Sequence, residues 1–230
     1  MPPATERPSA SAAVAPQSAR PPRRVAAGPV VLRRMQPDDA GNLAAVVGES
    51  LDHLRPWMPW ATKEAADHRT QLARITEVAE LWESGTDYIY GIFAAAGPGG
   101  PARGPGGGDN ADPADAGGED GPLVGTIGLH RRAGEDIAEI GYWIAAAHAR
   151  RGYGTAAARA VTSLAVALPG VRQVQIHCDE ENVASAAIPR KIGYRLDRIE
   201  AHEPEAPGER GRRMIWVWDR PARDVRDGAR

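Results

Sequence analysis

The apolar and polar positions of the chain follow two periods, and their order predicts a mixed α+β domain. A short apolar run at residues 30–32 indicates a first strand. Pro37 then begins a helix, and a second helix ends just before Gly85. The apolar stripe of the first helix is Leu43, Val46, Val47, Leu51 and Leu54, and that of the second is Leu72, Ile75, Val78 and Trp82.

The remaining elements are strands interrupted by two helices. The segment "TDYIYGIFAA" is typical of a strand because it is rich in aromatic and β-branched residues. "PLVGTIGLH" and "DIAEIGYWI" flank a turn at Gly134 and predict an antiparallel pair. A helix that stops at Pro169, the strand "VRQVQIHC", a short helix containing Pro189, and the strands "YRLDRIE" and "RRMIWVWD" follow. The predicted order is therefore βααβββαβαββ, with about seven strands.

Three segments show neither the helical nor the strand spacing of apolar residues. Residues 1–28 are rich in Pro, Ala, Ser and Arg, so we expect a disordered tail. Residues 97–121 contain almost no apolar side chain larger than alanine. They predict a flexible insertion because the surface they can bury does not offset the entropy of ordering them. With a C-terminal tail at 220–230, the folded domain is expected to span residues 29–219.

The net charge, the cysteine count and the lengths of the apolar runs exclude several classes of protein. The 230 residues carry a net charge of −2, whereas nucleic-acid-binding domains usually have a basic surplus. The single cysteine, Cys178, excludes an internal disulfide framework and a multi-cysteine zinc site. The chain has no apolar run of about 18 residues, and its N-terminus lacks the apolar core of a secretory signal. We therefore expect a cytoplasmic protein that binds neither nucleic acid nor a membrane.

The segment "HARRGYGTAAARA", residues 148–160, places two glycines directly before a predicted helix. Glycine lets the backbone approach a ligand closely, and a helix N-terminus offers unpaired N–H groups. The pattern favours a phosphate cradle, and the alternative is an ordinary glycine turn with solvated arginines. A dinucleotide fingerprint at Gly152, Gly154 and Ala157 is disfavoured, because its glycines follow a strand directly and "AAAHARR" intervenes after Ile144.

Three ordered motifs, "EIGYWI", "RRGYGT" and "ENVASAAIPRKIGY", make residues 29–219 similar to the GNAT N-acetyltransferase superfamily. Within it, the chain resembles the branch of ribosomal-protein N-terminal alanine and serine acetyltransferases, whose Trp-containing helix and loop are similar to "LDHLRPWMPW". The resemblance implies an α+β fold whose mixed, mostly antiparallel sheet is flanked by helices and has a splayed central parallel pair. It also implies acetyl-CoA as the co-substrate, with no metal.

The resemblance further assigns residues to acetyl-CoA. The backbone of the glycine turn is expected to bind the pyrophosphate, and the N–H groups of Ile144 and Ala145 to hold the pantetheine and polarise the carbonyl. The family has Arg or Gln where this chain has Ala149, so Arg150 is expected to take that role. The implied cofactor-binding residues are Trp143, Ile144, Ala145, Arg150, Arg151, Gly152, Tyr153, Gly154, Thr155, Asn182 and Ser185.

Two residues are candidate catalytic groups. Ser185 shares a helix face with Asn182, and the resemblance places it near the thioester sulfur, where a hydroxyl can donate to the departing thiolate. The alternative is a helix cap and a surface serine. Glu139 lies on a cleft strand and is expected to act as the base, directly or through water. The alternative for Glu139 is a structural ion pair across the sheet.

Trp57 and Trp60 are the candidate acceptor-binding residues. The resemblance implies that they wall the acceptor pocket, and the alternative is a hydrophobic plug between the first two helices. The six histidines show no metal-ligand spacing, so no metal site is expected. Cys178 is expected to be a small buried apolar residue, since no adjacent base marks it as an acyl carrier.

These expectations together predict direct acetyl transfer from acetyl-CoA to a primary amine through a tetrahedral intermediate. The acceptor is either the N-terminal α-amine of a protein, which the branch resemblance favours, or a small-molecule amine. A non-catalytic acyl-CoA-binding sensor or scaffold is the alternative from a different class. The protein is expected to be a monomer or a homodimer.

Overall fold

A computed structural model describes residues 20–96, 120–131, 134 and 136–220 as eight strands and five α-helices. The strands are β1 (Arg24–Ala27), β2 (Val30–Arg34), β3 (Asp87–Ala95), β4 (Asp120–His130), β5 (Ile137–Ile144), β6 (Gln173–Asp179), β7 (Arg195–Ala201) and β8 (Arg212–Asp219). The helices are α1 (Ala40–Glu49), α2 (Leu51–Leu54), α3 (His68–Ser84), α4 (Tyr153–Ala167) and α5 (Val183–Ile192).

The eight strands form one sheet in the order β1-β2-β3-β4-β5-β6-β8-β7. Every neighbouring pair is antiparallel except β5 and β6, which run parallel. The parallel pairing begins at Ile137 with Gln173 and ends at Glu139 with Gln175. Both strands continue beyond that point, to Ile144 and Asp179, and therefore diverge. The predicted fold class is confirmed, including the splayed parallel pair, although the sheet has eight strands rather than seven.

Helices cover the sheet on both faces. On β5, the side chains of Ala138 and Ile140 belong to the core beneath α4, whereas Trp143 and Ala145 belong to the core beneath α1 and α3. This division follows from the alternation of side chains along a strand. It places Glu139 and Gly141 on the same face as Trp143, and Tyr142 on the opposite face with Ile140.

The termini of α3 illustrate how the sequence sets helix limits. The Asp67 carboxylate accepts the N–H groups of Arg69 and Thr70 at 2.9 and 3.1 Å. Such a cap satisfies donors that have no partner inside the helix. At the other end, Gly85 takes a left-handed conformation with φ +77°, which glycine adopts without a Cβ penalty.

The structure corrects two predicted segments. Residues 24–27, assigned to a disordered tail, form β1 and pair with β2. Residues 120 and 121, assigned to the flexible insertion, begin β4. Asp120 joins the two corrected segments, because its carboxylate accepts hydrogen bonds from Arg24 and Arg33 at 2.6 and 2.8 Å. The predictions for residues 1–19, 97–119 and 221–230 lie outside the described residues.

The first predicted helix is also divided in the structure. It was expected to continue from Pro37 through Leu54, but it is interrupted at the buried Ser50, where α1 gives way to α2. The Ser50 hydroxyl accepts the N–H of Ala146 at 3.2 Å. This bond ties the helix junction to the segment that follows β5, so the interruption places α2 beside the end of that strand.

Candidate active site

The divergence of β5 and β6 opens two adjoining cavities, which lie beside Tyr142. The turn cavity, of about 570 Å³, extends to the glycine turn at residues 150–155. The acidic cavity, of about 500 Å³, extends to Glu139 and His177. Both are lined by Trp57, Met58, Tyr142, Asn182 and Ser185. These shared residues form the junction at which molecules held in the two cavities can meet.

The turn cavity carries the features of an anion cradle. Gly152 precedes α4 with φ +82°, and as a glycine it provides no side-chain cap. The first N–H groups of an α-helix have no partner within the helix, so those of Tyr153, Gly154 and Thr155 are available to a ligand at this end. Arg150 also has a positive φ, +61°, and lines the cavity, whereas the Arg151 side chain is exposed and lies outside it.

Gly154 packs closely against two isoleucine side chains at the start of α4. A Cβ at this position would lie 2.9 Å from Ile188 Cδ1 and 3.3 Å from Ile144 Cγ1. Both isoleucines line the turn cavity, so any side chain at residue 154 would push them into the space that a ligand needs. Nearby, His148 Nδ1 is buried and has no hydrogen-bond partner among the described residues.

The backbone donors at the end of β5 differ from the prediction. The N–H of Ala145 donates to the carbonyl of Val124 at 2.8 Å, so the expectation that it polarises a substrate carbonyl is wrong. Bonded and non-bonded positions alternate along an antiparallel pair. The N–H of Ile144 therefore points away from β4 and into the gap left by β6, where a ligand can accept it. Trp143, also predicted for the cofactor, lines the turn cavity although most of its ring is buried in the core.

Ser185 and Asn182 lie on the first turn of α5, at the junction. Asn182 caps the helix, since its Oδ1 accepts the N–H of Ser185 at 3.0 Å. The Ser185 hydroxyl donates to the phenolic oxygen of Tyr142 at 3.3 Å, and the phenol donates to the Ser185 carbonyl at 3.1 Å. Burial raises the pKa of Tyr142 well above its usual value, so the phenol stays protonated and can donate.

Cys178 lies close to the same junction. It is partly buried, and burial raises its pKa to about 11, although a hydrogen bond with Ser185 acts in the opposite direction. A thiol with this pKa is almost entirely protonated at neutral pH and is a poor nucleophile. This agrees with the expectation that Cys178 packs as a small apolar residue.

The acidic cavity takes its character from its charged side chains. It is lined by the four carboxylates of Glu139, Asp179, Glu205 and Glu209, and by the cation of Arg213. Glu139 and Gln175 form the last pair before β5 and β6 separate, and His177 is the next residue on the same face of β6. The excess of carboxylates favours a positively charged ligand in this cavity.

The loop between β7 and β8, residues 202–211, forms one wall of the acidic cavity and is held at both of its edges. Asp179 Oδ2 accepts the N–H groups of Arg210, Gly211 and Arg212 at 3.0, 3.1 and 3.2 Å. At its middle, the loop donates the N–H of Gly208 to the carbonyl of Pro56 at 2.8 Å. The loop is thereby joined both to the end of β6 and to the segment that carries Trp57.

The two predicted acceptor-binding tryptophans have different positions. Trp57 lines both cavities, so its ring lies at the junction. Trp60 lines neither cavity: its ring packs against that of Trp143, with centroids 5.9 Å apart, and beneath the guanidinium of Arg74. This packing favours the alternative of a hydrophobic plug for Trp60, and its assignment to the acceptor site stays a prediction.

Sequence reasoning did not single out Tyr142 or His177. Each carries a signal in retrospect: Tyr142 is a hydroxyl-bearing residue on an otherwise apolar face of β5, and His177 follows Gln173 and Gln175 at alternate positions of β6. Within the described part of the chain, no group of three or more metal-ligating side chains comes together. Nor does that part contain a helix long and apolar enough to span a membrane.

Comparison with known proteins agrees with this geometry. Residues 30–195 match the family model of the acetyltransferase (GNAT) domain. No curated protein sequence matches the chain significantly. Among solved structures, it is similar to RimL, a ribosomal L7/L12 alpha-N-protein acetyltransferase in complex with coenzyme A. That match has a TM-score of 0.68 at 15% identity and covers 85% of this chain and 97% of the other.

Two further structures share the fold. RimJ of Mycobacterium smegmatis has a TM-score of 0.66 at 18% identity, covering 87% of this chain and 84% of its own. The ribosomal-protein-S5-alanine acetyltransferase from Vibrio fischeri has a TM-score of 0.67 at 12% identity, covering 85% and 96%. At these identities the likeness concerns the fold, and the predicted family and branch resemblance are confirmed at that level.

Proposed function

Because the chain belongs to the acetyltransferase (GNAT) family, we propose that its two cavities hold the two substrates of an acetyl transfer. Acetyl-CoA occupies the turn cavity, and a primary amine enters through the acidic cavity. The observation that carries this proposal is the junction, where five residues line both cavities, Tyr142, Ser185 and Trp57 among them. A thioester and an amine brought in from opposite sides come together at that point.

The turn cavity fits acetyl-CoA in its charge and in its donors. The unpaired N–H groups of Tyr153, Gly154 and Thr155 suit a pyrophosphate, as does the positive end of the α4 dipole. The buried Nδ1 of His148 supplies a further polar atom with which the ligand can pair. Beyond the turn, the Ile144 N–H in the gap between β5 and β6 is placed to donate to the amide-rich pantetheine arm or the thioester carbonyl.

The hydroxyl pair at the junction serves the leaving group. When the amine nitrogen bonds to the thioester carbon, the carbon–sulfur bond breaks and the sulfur leaves with an electron pair. The Ser185 hydroxyl, whose hydrogen is directed to the Tyr142 oxygen in the structure, turns to donate a proton to that sulfur, and Tyr142 holds the first turn of α5 in place by donating to the Ser185 carbonyl. Solvent then restores the proton to the serine. Tyr142 stays protonated throughout because it is buried.

The acidic cavity suits the amine. A primary amine is mostly an ammonium ion at neutral pH, and the carboxylates of Glu139 and Glu205 attract that charge. The amine must lose a proton before it can attack, so the cavity must also provide an acceptor for it. Among primary amines, we propose the N-terminal α-amine of a protein, because two of the similar solved structures carry the names of ribosomal-protein acetyltransferases.

A thiol-release assay tests this function. Purified enzyme and acetyl-CoA are mixed with peptides that have a free N-terminal serine or alanine, with the same peptides already N-acetylated, and with small primary amines. We expect release of coenzyme A with the free peptides and none with the blocked ones. Turnover of small amines alone would reject the protein N-terminus as the acceptor. Binding of acetyl-CoA without any turnover would reject catalysis and favour the sensor alternative.

A further inference from the structure

Three polar side chains on one face of β6 form a chain of hydrogen bonds that ends at His177. Asp219 Oδ1 on β8 accepts Gln173 Nε2 at 2.8 Å. Gln173 Oε1 in turn accepts Gln175 Nε2 at 2.5 Å. His177 Nε2 lies 2.7 Å from Gln175 Oε1. Positions 173, 175 and 177 alternate along the strand, so all three side chains leave it on the same face.

The Asp219 carboxylate, at the start of this series of hydrogen bonds, determines which partner donates in each of them. Hydrogen bonds from Gln173 and Arg195 lower the pKa of Asp219, so it is ionised at neutral pH and can only accept. Gln173 must therefore present its NH₂ to Asp219 and its oxygen to Gln175, and Gln175 must repeat that orientation. The Gln175 oxygen then faces the imidazole and requires a donor. His177 accordingly carries its proton on Nε2, which leaves a lone pair on Nδ1.

The lone pair of His177 Nδ1 is accessible from the acidic cavity. Among the described residues, no partner engages this atom, and His177 lines the acidic cavity immediately beyond the last pair of β5 and β6. The charged groups around the ring come from every neighbouring element. They are Glu139 on β5, Asp179 on β6, Arg213 on β8, Arg198 and Glu200 on β7, and Glu205 and Glu209 on the loop that forms the cavity wall.

We infer that His177 is the group that takes the proton from the attacking amine. This inference rests on the proposed acetyl transfer and identifies the acceptor that the reaction needs. Nδ1 takes one proton from the bound ammonium and becomes an imidazolium, and the neutral amine then bonds to the thioester carbon. The second proton of the nitrogen passes to solvent as the carbon–sulfur bond breaks. The negative charge of Glu139 stabilises that imidazolium, while Gln175 holds the ring through Nε2. The imidazolium then returns its proton to solvent through the open cavity, so the cycle leaves His177 unchanged.

The resting protonation state suits this role. Burial lowers the pKa of His177 below its usual 6.5, and the charge of Glu139 opposes that effect only in part. The ring is therefore mostly neutral at pH 7 and ready to accept a proton. With His177 as the base, Glu139 is a positioning residue whose negative charge lies beside the imidazole. This differs from the expectation from the sequence, in which Glu139 is the base itself.

Two measurements test the inference, and the first does not depend on activity. Ring-nitrogen NMR of the wild-type protein at pH 7, with the resonance assigned by its loss in His177→Gln, reports the tautomer. We expect protonation on Nε2 and none on Nδ1. Gln173→Leu, which interrupts the chain far from the cavity, should weaken this preference and mix the tautomers. Protonation on Nδ1 in the wild type would overturn the inference.

The second measurement is the pH dependence of kcat/KM at saturating acetyl-CoA, with the fastest acceptor peptide or amine from the thiol-release assay. We expect His177→Gln to lower kcat/KM about 10²-fold at pH 7 and to remove the part of the acid limb that titrates with His177, leaving the part set by the ammonium of the acceptor. His68→Gln, at an exposed position on α3, is the matched control and should behave as wild type. An active wild type whose His177→Gln variant stays within threefold overturns the His177 inference alone. A wild type that acetylates no amine overturns the proposed function, and the role of His177 with it.

Discussion

Ser185 and Tyr142 exchange hydrogen bonds across the gap between the splayed strands. The serine hydroxyl donates to the phenolic oxygen at 3.3 Å, and the phenol donates to the serine carbonyl at 3.1 Å. The pair joins the first turn of α5 to the middle of β5, and both residues line the two cavities. In the proposed function, this pair holds a proton donor at the junction where the thioester sulfur and the amine meet.

This arrangement predicts that Ser185→Ala and Tyr142→Phe each lower kcat at least tenfold, by a similar factor at every pH between 6 and 9. Each substitution removes one hydroxyl of the same proton-donating pair. Neither hydroxyl titrates between pH 6 and 9, so the loss of kcat should not depend on pH in this range. Because the residues act together, the double variant should lose little more than the worse single variant. Steady-state kinetics check this, with acetyl-CoA affinity from calorimetry as the control. Fully multiplicative losses would contradict a shared role.

Glu139→Gln distinguishes two roles for the carboxylate. If Glu139 stabilises the His177 imidazolium, its loss lowers the pKa of His177 further, since the carboxylate raises it. The acid limb of kcat/KM should then move to lower pH, while the plateau falls because a weaker base accepts the proton less readily. If Glu139 were the base itself, the variant would instead lose most activity at low pH and regain it as the pH approached the pKa of the amine. The pH profile of the variant separates these outcomes.

Gly154→Val should weaken acetyl-CoA binding at least tenfold, which corresponds to about 1.4 kcal/mol. The added side chain meets Ile188 and Ile144 and pushes both into the turn cavity. Gly41→Val is a matched control, because Gly41 also lies in a helix but a Cβ there makes only an ordinary contact, 3.7 Å from His68. Calorimetry measures affinity, and thermal unfolding verifies that both variants are folded. Equal affinities in the two variants would remove the turn from the binding site.

The order of elements and the position of the glycine turn could be predicted from sequence, because both depend on local patterns. Apolar spacing sets α3 and α4, and a helix N-terminus after Gly152 has the same donors in any fold. The strand β1 was missed although its partner β2 is adjacent in sequence, because its four residues, "RVAA", directly follow the Pro-, Ser- and Arg-rich segment that is typical of a tail.

The acidic side of the site was predictable only in part. Glu139 was identified from its strand, but His177 became notable only when the hydrogen bonds to Gln175 and Gln173 were known. Likewise, the hydrogen bond from the Ala145 N–H to the Val124 carbonyl depends on the register between β4 and β5, which the sequence does not specify. Trp57 and Trp60 are three residues apart in one aromatic segment and are both partly buried, and only the contacts of the folded chain separate the ring at the junction from the ring that packs on Trp143.

The two tryptophans yield a paired prediction. Trp57→Ala should raise the KM for the amine acceptor about tenfold with little loss of stability, because the ring lines the junction and is only partly buried. Trp60→Ala should instead lower the free energy of unfolding by about 2 kcal/mol, because it removes the packing against Trp143. Chemical denaturation and steady-state kinetics on both variants test this. An acceptor KM that rises more in the Trp60 variant would reverse the assignment.

Asp179 predicts a stability effect that depends on pH. Burial alone would raise the pKa of this carboxyl, but the N–H donors of Glu181, Arg210 and Arg212, helped by His202, together lower it below the usual 3.8. Asp179→Asn retains the shape of the side chain and removes the charge that these donors meet. We expect the variant to lose about 2 kcal/mol at pH 7, since hydrogen bonds to a charged group are stronger than those to a neutral one.

The pH dependence identifies the carboxylate as the cause. A group whose pKa is lower in the folded state stabilises the protein fully above its unfolded value, 3.8, and loses that effect as the pH falls toward the lowered value. The difference in unfolding free energy between wild type and Asp179→Asn should therefore be constant from pH 7 to about pH 5 and narrow below pH 4. Urea denaturation across this range measures it, and Asp197→Asn, whose carboxylate forms only surface ion pairs with Arg195 and Arg198, is the control. A difference that persists unchanged at pH 3 would mean that the variant acts through shape, and that the loop between β7 and β8 does not depend on the charge of Asp179.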